Sequence, residues 1–297
     1  LDPEAPYALC KRAVRRSFDR ASATYDAVAV LQTEVRQQLL QRLELTALAP
    51  RIIVDAGAAT GHASRALSIR YPRARVLSVD SALGMLKAAR AQQSWRRRFD
   101  RIGADAEALP LPDGSVDLIF SNLLLPWCDP DRLFGEFRRV LAPRGLLTCS
   151  GFGPDTLREL RAAWGAVDQD RHVHRFIDMH DLGDGLVRAG FAAPVLDVER
   201  YTLQYDDVGA LRRDLKRLGY GNFMAGRPRG LTGKGKLARL QSAYEAARDQ
   251  GRLPATYEVV FAQAWAPAAA APGPAGGATS IALGDLRRQL PSRRESS

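Results

Sequence analysis

Val54-Asp55-Ala56-Gly57-Ala58-Ala59-Thr60-Gly61 joins the apolar run Arg51-Ile52-Ile53-Val54-Asp55 to a stretch of helical composition, Ala63 to Arg70. A short apolar run closed by glycine reads as a buried strand, and glycines in the turn that follows let the backbone approach a ligand closely. A dinucleotide site would carry G-x-G-x-x-G with its acidic residue on the second strand. Here Asp55 stands immediately before the first glycine instead.

Working outward, the strand–helix step repeats. Ala74 to Asp80 precedes Leu83 to Ala91, Phe99 to Ala104 precedes a short turn, and Val116 to Ser121 precedes Pro130 to Leu141. Alternating strands and helices predict an α/β fold with a doubly wound, mostly parallel sheet. Upstream, Val28, Leu31, Val35, Leu39 and Leu43 recur at helical spacing, which predicts a helix over 26–45. Downstream, the turn Pro143-Arg144-Gly145 introduces a strand over 146–150 and a helix over 154–163. The later strands fall at 195–200 and 257–265, with a helical insertion over 206–250 expected to cover the sheet edge where substrate binds. The tail 267–297, opening in Ala and Pro and ending in Arg and Ser, has a composition that cannot bury a core and is expected to be disordered. The expected division is an N-terminal helical cap over 1–48, a main domain over 49–266, and the tail.

Composition is ordinary for a globular chain, with 46% hydrophobic and 26% charged residues. No apolar run approaches the roughly 18 residues of a membrane span, and the first residues hold no apolar secretion core. Three cysteines without paired spacing fit a reducing compartment, so a cytoplasmic location is expected. The net charge of +10 points to an acidic partner or simply to an Arg- and Ala-rich genome.

Further candidates stand at the carboxyl ends of the expected strands, where ligands bind in open α/β sheets. Asp80, followed by Ser81 and Met85, can accept hydrogen bonds from both hydroxyls of a ribose. Asp105 and Ala106 follow the third strand and Asn122 the fourth. Any one of these could be a helix N-cap, but their order is that of a nucleoside site. With Asp55, Gly57, Ala59 and Gly61, the set resembles the cofactor motifs of class I S-adenosylmethionine (SAM)-dependent methyltransferases, whose fold is Rossmann-like. The resemblance implies that Asp105 meets the adenine amino group and that Asn122 faces the methionine end. Ala59 departs from it, standing where that superfamily has a third glycine.

Longer segments are more specific. They are Phe18-Asp19-Arg20-Ala21-Ser22-Ala23-Thr24-Tyr25-Asp26, Gly153-Pro154-Asp155-Thr156-Leu157-Arg158-Glu159-Leu160, Arg175-Phe176-Ile177-Asp178-Met179-His180-Asp181-Leu182-Gly183-Asp184, Arg229-Gly230-Leu231-Thr232-Gly233-Lys234 and Leu253-Pro254-Ala255-Thr256-Tyr257-Glu258-Val259. Together they resemble the malonyl-[acyl-carrier protein] O-methyltransferase family across 16–266. The resemblance implies methyl transfer from SAM to the free carboxylate of a malonyl thioester on acyl carrier protein, towards a biotin precursor. Pro126, Tyr220 and Gly221 depart from the family's pattern.

That chemistry needs no general base, because the acceptor carboxylate ionises near pH ~4. Alignment alone can contribute roughly 7–11 kcal/mol. By resemblance Tyr25 is the candidate catalytic hydroxyl, though an interface role is equally open. Trp127 is expected to wall the methyl group, and Arg175 or an arginine of the insertion to hold the carboxylate. The insertion's run of Arg212, Arg213, Lys216, Arg217, Arg227, Arg229, Lys234, Lys236 and Arg239 suits a phosphopantetheine phosphate and an acidic carrier protein. His172, His174 and His180 invite a metal site, but His180-Asp181 reads equally well as a helix cap, and no metal is expected. Cys149 reads as packed inside its strand. Two alternatives remain: a SAM-binding assembly factor resembling complex I assembly proteins, and a nucleic-acid methyltransferase. The second is disfavoured, since Ser121-Asn122-Leu123-Leu124 replaces the Pro-Pro-aromatic motif of amino-methylating enzymes.

Overall fold

Ile52, Ile53 and Val54 lack polar alternation because the strand they form, β1 (Ile52–Ala56), lies at the centre of a sheet covered on both faces. The computed structural model describes residues 9–95, 98–225, 227, 230 and 232–268. Around β1 the sheet adds β2 (Arg75–Asp80), β3 (Asp100–Gly103), β4 (Val116–Ser121), β5 (Leu141–Phe152), β6 (Ala192–Tyr205) and β7 (Leu253–Trp265), in the order β3-β2-β1-β4-β5-β7-β6. Strands β1 to β5 pair in parallel, whereas β7 runs antiparallel to both β5 and β6. The strand order reverses between β1 and β4, the switch point at which such sheets open a crevice for ligands.

Helices α1 (Lys11–Ala21), α2 (Val30–Arg42), α3 (His62–Arg70), α4 (Leu83–Ala89), α5 (Pro130–Val140), α6 (Arg158–Gly165), α7 (Met179–Arg188), α8 (Val208–Arg217) and α9 (Lys234–Glu245) connect or cover the strands. One face of the sheet buries Leu31, Val35 and Leu39 of α2 with Leu67, Trp164, Leu240 and Tyr244. The other buries Leu133, Phe134 and Phe137 of α5 with Leu182 and Leu186 of α7. Alternate residues of β4 serve the two sides, Leu118 and Phe120 facing one and Ile119 the other. Local chemistry sets several helix starts. Asp129 accepts from the N–H groups of Asp131 and Arg132 (3.1 and 3.2 Å) ahead of Pro130, and Asp207 accepts from Ala210 (2.8 Å).

Several elements differ from the expectation. The helix expected over 26–45 starts only at Val30, because Tyr25 to Ala29 form turns. The one expected over 154–163 begins at Arg158, since Leu157 takes a left-handed φ of 54°. Pro143-Arg144-Gly145 does not end a connection; it lies within β5, with Arg144 at φ 64° and a register shift against β4. The cap of α7 is Asp178, which accepts from His180 N at 2.8 Å, rather than His180-Asp181. The insertion contributes α8 and α9. The expected tail lies, beyond Ala268, outside the described residues.

Candidate active site

A cavity of about 530 Å³ opens at the carboxyl ends of β1 to β4, within the usual span of ligand sites, roughly 300–1,000 Å³. Its floor is the turn after β1. Gly57 adopts φ +72°, and a Cβ there would meet the Leu124 side chain at 2.9 Å, so glycine serves both conformation and space. The turn is fastened to β2 by Gly57 N and Ala58 N donating to Val79 O (2.9 and 3.0 Å) and by Ala59 N donating to Asp80 Oδ2 (2.9 Å). Ala59 itself sits at φ +46°, a left-handed conformation that costs a residue with a Cβ about 1–2 kcal/mol.

Asp80 also accepts from Ala82 N at 2.8 Å through Oδ1. Burial outweighs these backbone donors and pushes its carboxyl up to about 6. Ser81, Asp105, Ala106 and Asn122 join Gly57, Ala59 and Asp80 in the lining. Asn122 is held at both ends, its Nδ2 donating to Gln32 O and its Oδ1 accepting from Ser150 Oγ, each at 3.0 Å. Three expected cofactor residues stand behind the wall instead. Asp55 is buried and accepts from Ser64 Oγ at 2.5 Å, which ties β1 to α3; burial pushes its carboxyl up to about 7. Gly61 begins α3 at φ +82°, packed against Ala89 and Phe99. Met85 is wholly buried beside Ala21 and Ala82.

The roof is α1. Gly84 N donates to Asp19 Oδ1 at 2.8 Å, and a Cβ on Gly84 would strike Asp19 O at the same distance, so α1 and α4 are in close contact. Lys11 Nζ reaches Asp105 Oδ1 (3.2 Å) and Glu107 Oε1 (2.5 Å). Burial alone would lower the Lys11 ammonium, but Cys128, Glu107 and Asp105 outweigh it and hold it above its ordinary value. Arg12 and Arg15, both exposed, line the mouth. Lys11 and Arg15, one turn apart, share a helix face with Val14 and Phe18. The i, i+4 spacing of Lys11 and Arg15 is the signal that the sequence carries for this face.

Tyr25 enters the cavity from the turn after α1. Its neighbour Asp26 accepts from Thr60 Oγ1 at 2.6 Å and thereby fastens that turn to the glycine turn. Burial, then Tyr220 and the carboxylates of Asp80 and Asp26, push the Tyr25 phenol well above its ordinary range, so it remains a hydrogen-bond donor. Trp127 forms the apolar wall and centres an aromatic cage, with ring centroids 5.0 Å from Tyr220, 5.3 Å from Phe18 and His174, and 5.8 Å from Phe223. Pro126 does not line the cavity; it is the middle residue of a short 3₁₀ turn, Leu125–Trp127, that presents Trp127.

The expected substrate cations lie elsewhere. Arg175 is exposed on a separate groove with Asp178 and Met224, Arg227 donates to Met224 O at 3.3 Å, and Lys234 is exposed at the start of α9. Arg229 lies outside the described residues. Helix α9 turns Lys236 onto Asp168 (2.7 Å), whose other oxygen meets His172 (2.8 Å), while His172 stacks on Trp164 at 3.6 Å. Asp168, Asp170 and His172 are close enough to share an ion, but Lys236 already pairs with both carboxylates. His174 Nε2 lies instead in a buried loop contact, 2.7 Å from Gly221 O, to which its protonated form donates, and 3.0 Å from Phe223 N, from which its unprotonated form accepts. Cys149 is buried in β5, and burial pushes its thiol up to about 12.

Residues 54–149 match the family model for a methyltransferase domain. The malonyl-[acyl-carrier protein] O-methyltransferase of Methylovorus sp. (strain MP688) is 55% identical, covering 89% of this chain and 91% of the relative. That of Laribacter hongkongensis (strain HLHK9) is 52% identical over 87% and 90%. Among solved structures, a putative methyltransferase from Bacillus halodurans C-125 superposes with a TM-score of 0.57 at 19% identity, covering 78% of this chain and 99% of that one. The sheet order and these likenesses establish the class I SAM-dependent methyltransferase fold.

Proposed function

Because the chain belongs to the malonyl-[acyl-carrier protein] O-methyltransferase family, we propose that its cavity aligns the free carboxylate of a malonyl thioester with the methyl group of SAM. The enzyme forms the malonyl methyl ester on acyl carrier protein, hiding a charged end so that the acyl chain can be extended towards a biotin precursor. The observation that carries this reading is one cavity shared by Asp80 and Asp105, suited to a nucleoside, with Tyr25 and Trp127, suited to a carboxylate and a methyl group.

SAM, when bound, supplies an electrophilic methyl group on a sulfonium. The donor set fits it: carboxylates for ribose and adenine, and a turn whose Gly57 leaves room for backbone approach. Asp80 accepts from the ribose hydroxyls, Asp105 meets the adenine edge, and Asn122 faces the methionine end. Tyr25 donates to the acceptor carboxylate and orients it; no residue need remove a proton, since the acceptor is already ionised. Trp127 and Phe18 exclude water, which favours a transition state in which opposite charges are being neutralised.

The exposed cations at the mouth, Arg12 and Arg15, suit the phosphate of the carrier's arm and its acidic surface better than the insertion does. Helix α1 with the turn bearing Tyr25 acts as the cap of a methyltransferase domain, and 206–250 as a buttress behind the aromatic cage. Among the described residues no helix is long and apolar enough to cross a membrane. The free cysteines and a carrier-protein partner suit a cytoplasmic enzyme. Intact-mass analysis of malonyl-carrier protein after incubation with enzyme and SAM tests the proposal: gain of one methyl group supports it, and an unchanged mass contradicts it.

A further inference from the structure

Tyr220, in the loop after α8, lines the same cavity, with its ring held against Trp127 (5.0 Å), Phe18 (6.1 Å) and Phe152 (6.2 Å). Its hydroxyl oxygen accepts a hydrogen bond from Gln32 Nε2 at 2.9 Å. Gln32, on α2, is only 3% exposed. Its backbone carbonyl accepts from Asn122 Nδ2 (3.0 Å), Asn122 Oδ1 accepts from Ser150 Oγ (3.0 Å), and Ser150 Oγ accepts from Leu123 N (3.0 Å). The direction of this relay is fixed at its origin. A backbone N–H can only donate, so the Ser150 proton goes to Asn122 Oδ1, and the Asn122 amide must present its NH₂ to Gln32.

That chain anchors the backbone of Gln32, and its buried side chain places Nε2 2.9 Å from the Tyr220 oxygen, to which it donates. The phenol's acceptor capacity is used, while its own proton has no acceptor among the described residues. Gln32 Oε1 is buried without a partner among those residues, a costly arrangement for a side chain that merely packs. Had the amide faced the other way, it would have consumed the Tyr220 proton.

We propose that Tyr220 is a second donor to the acceptor carboxylate and that Gln32 is the positioning residue that turns the Tyr220 proton into the cavity. The inference rests on the carboxyl-methylation reading. One carboxylate oxygen forms the new O–CH₃ bond with its lone pair as the C–S⁺ bond breaks and its electron pair stays on sulfur. Tyr220 holds the other oxygen, which becomes the ester carbonyl. No proton changes hands, and Tyr220 ends the cycle as a phenol. Burial pushes that phenol up to about 12, so it stays protonated at working pH.

The test compares wild type, Tyr220→Phe, Gln32→Met and the double variant, using malonyl-carrier protein as acceptor and calorimetry with S-adenosylhomocysteine to confirm an intact nucleoside site. A lost hydrogen bond to a charged group corresponds to a drop in kcat/KM of roughly ten- to a hundredfold for Tyr220→Phe, with nucleoside affinity unchanged. Gln32→Met lowers kcat/KM in the wild-type background but adds nothing in the Tyr220→Phe background, as expected of two residues acting through one proton. In Gln32→Glu, an ionised carboxylate captures that proton, so its rate relative to wild type falls as pH rises through the glutamate's ionisation. Wild-type kcat/KM in a folded Tyr220→Phe variant overturns the proposal, and an equal effect of Gln32→Met in both backgrounds overturns the positioning role. Wild-type enzyme that leaves the malonyl acceptor unmethylated overturns the carboxyl-methylation reading and this inference with it.

Discussion

Lys11 Nζ lies 3.2 Å from Asp105 Oδ1, and this contact fastens the N-terminal helix across the end of β3 beside the expected adenine site. The same ammonium meets Glu107, whose side chain is 4% exposed. Glu107 keeps Arg132 (3.6 Å) and Asp129 N (2.7 Å) as other partners, so Lys11→Met is expected to cost about 1 kcal/mol of stability. Hydrogen exchange should show a larger effect locally, with α1 losing protection while the β1 and β4 amides keep theirs. Unchanged protection of α1 would mean that the ion pair does not hold the roof.

Ala59→Gly is expected to stabilise the fold. Relief of the left-handed alanine, about 1–2 kcal/mol, exceeds the added unfolded-state freedom of glycine, about 0.4–1 kcal/mol, leaving a net gain near ~0.5–1 kcal/mol. Denaturant unfolding of the two proteins checks the sign; a loss of stability would show that the alanine methyl packs to advantage.

Cofactor affinity should weaken in acid. The Asp80 carboxyl is pushed up to about 6 by burial, and ribose hydroxyls favour its ionised form, so S-adenosylhomocysteine binding falls as pH drops below ~6, by at most about tenfold per unit. The same group has the opposite sign for folding: protonated more readily folded than unfolded, it stabilises at low pH, and that contribution is lost as pH rises through about 6. Calorimetric titrations across this range test the first statement, and Asp80→Asn should bind more weakly with a flat profile.

Arg12→Glu with Arg15→Glu is expected to raise KM for malonyl-carrier protein about tenfold or more and to reduce its salt dependence. KM for SAM should move far less. Equal losses for both substrates would argue that α1 has been displaced rather than recharged.

The fold was legible wherever local pattern and topology agree, as in the run from Ile52 to Gly61 and the order of Asp80, Asp105 and Asn122. Strand direction was not, because alternation along Tyr257 to Trp265 is the same in a parallel and an antiparallel strand. Asp55 and Met85 read as ligand-facing from their neighbours, yet a one-residue step at a strand end or a third of a helical turn decides between wall and core. The direction of the insertion's charges was not legible for the same reason: α9 directs Lys236 to Asp168, whereas the cations at the cavity sit on α1, far from it in sequence. Tyr220 stood out only as a departure from a pattern, and its partner Gln32 carried no signal at all, being one polar residue within an apolar helix face.

The central claim, that the methyl group goes to an ionised acyl carboxylate, is tested most directly by label from methyl-labelled SAM, with malonyl- and acetyl-carrier protein as paired acceptors and mild base applied to the products. The account predicts label on the malonyl arm alone, released by base as labelled methanol. Base-stable label, or equal labelling of the acetyl arm, would contradict it.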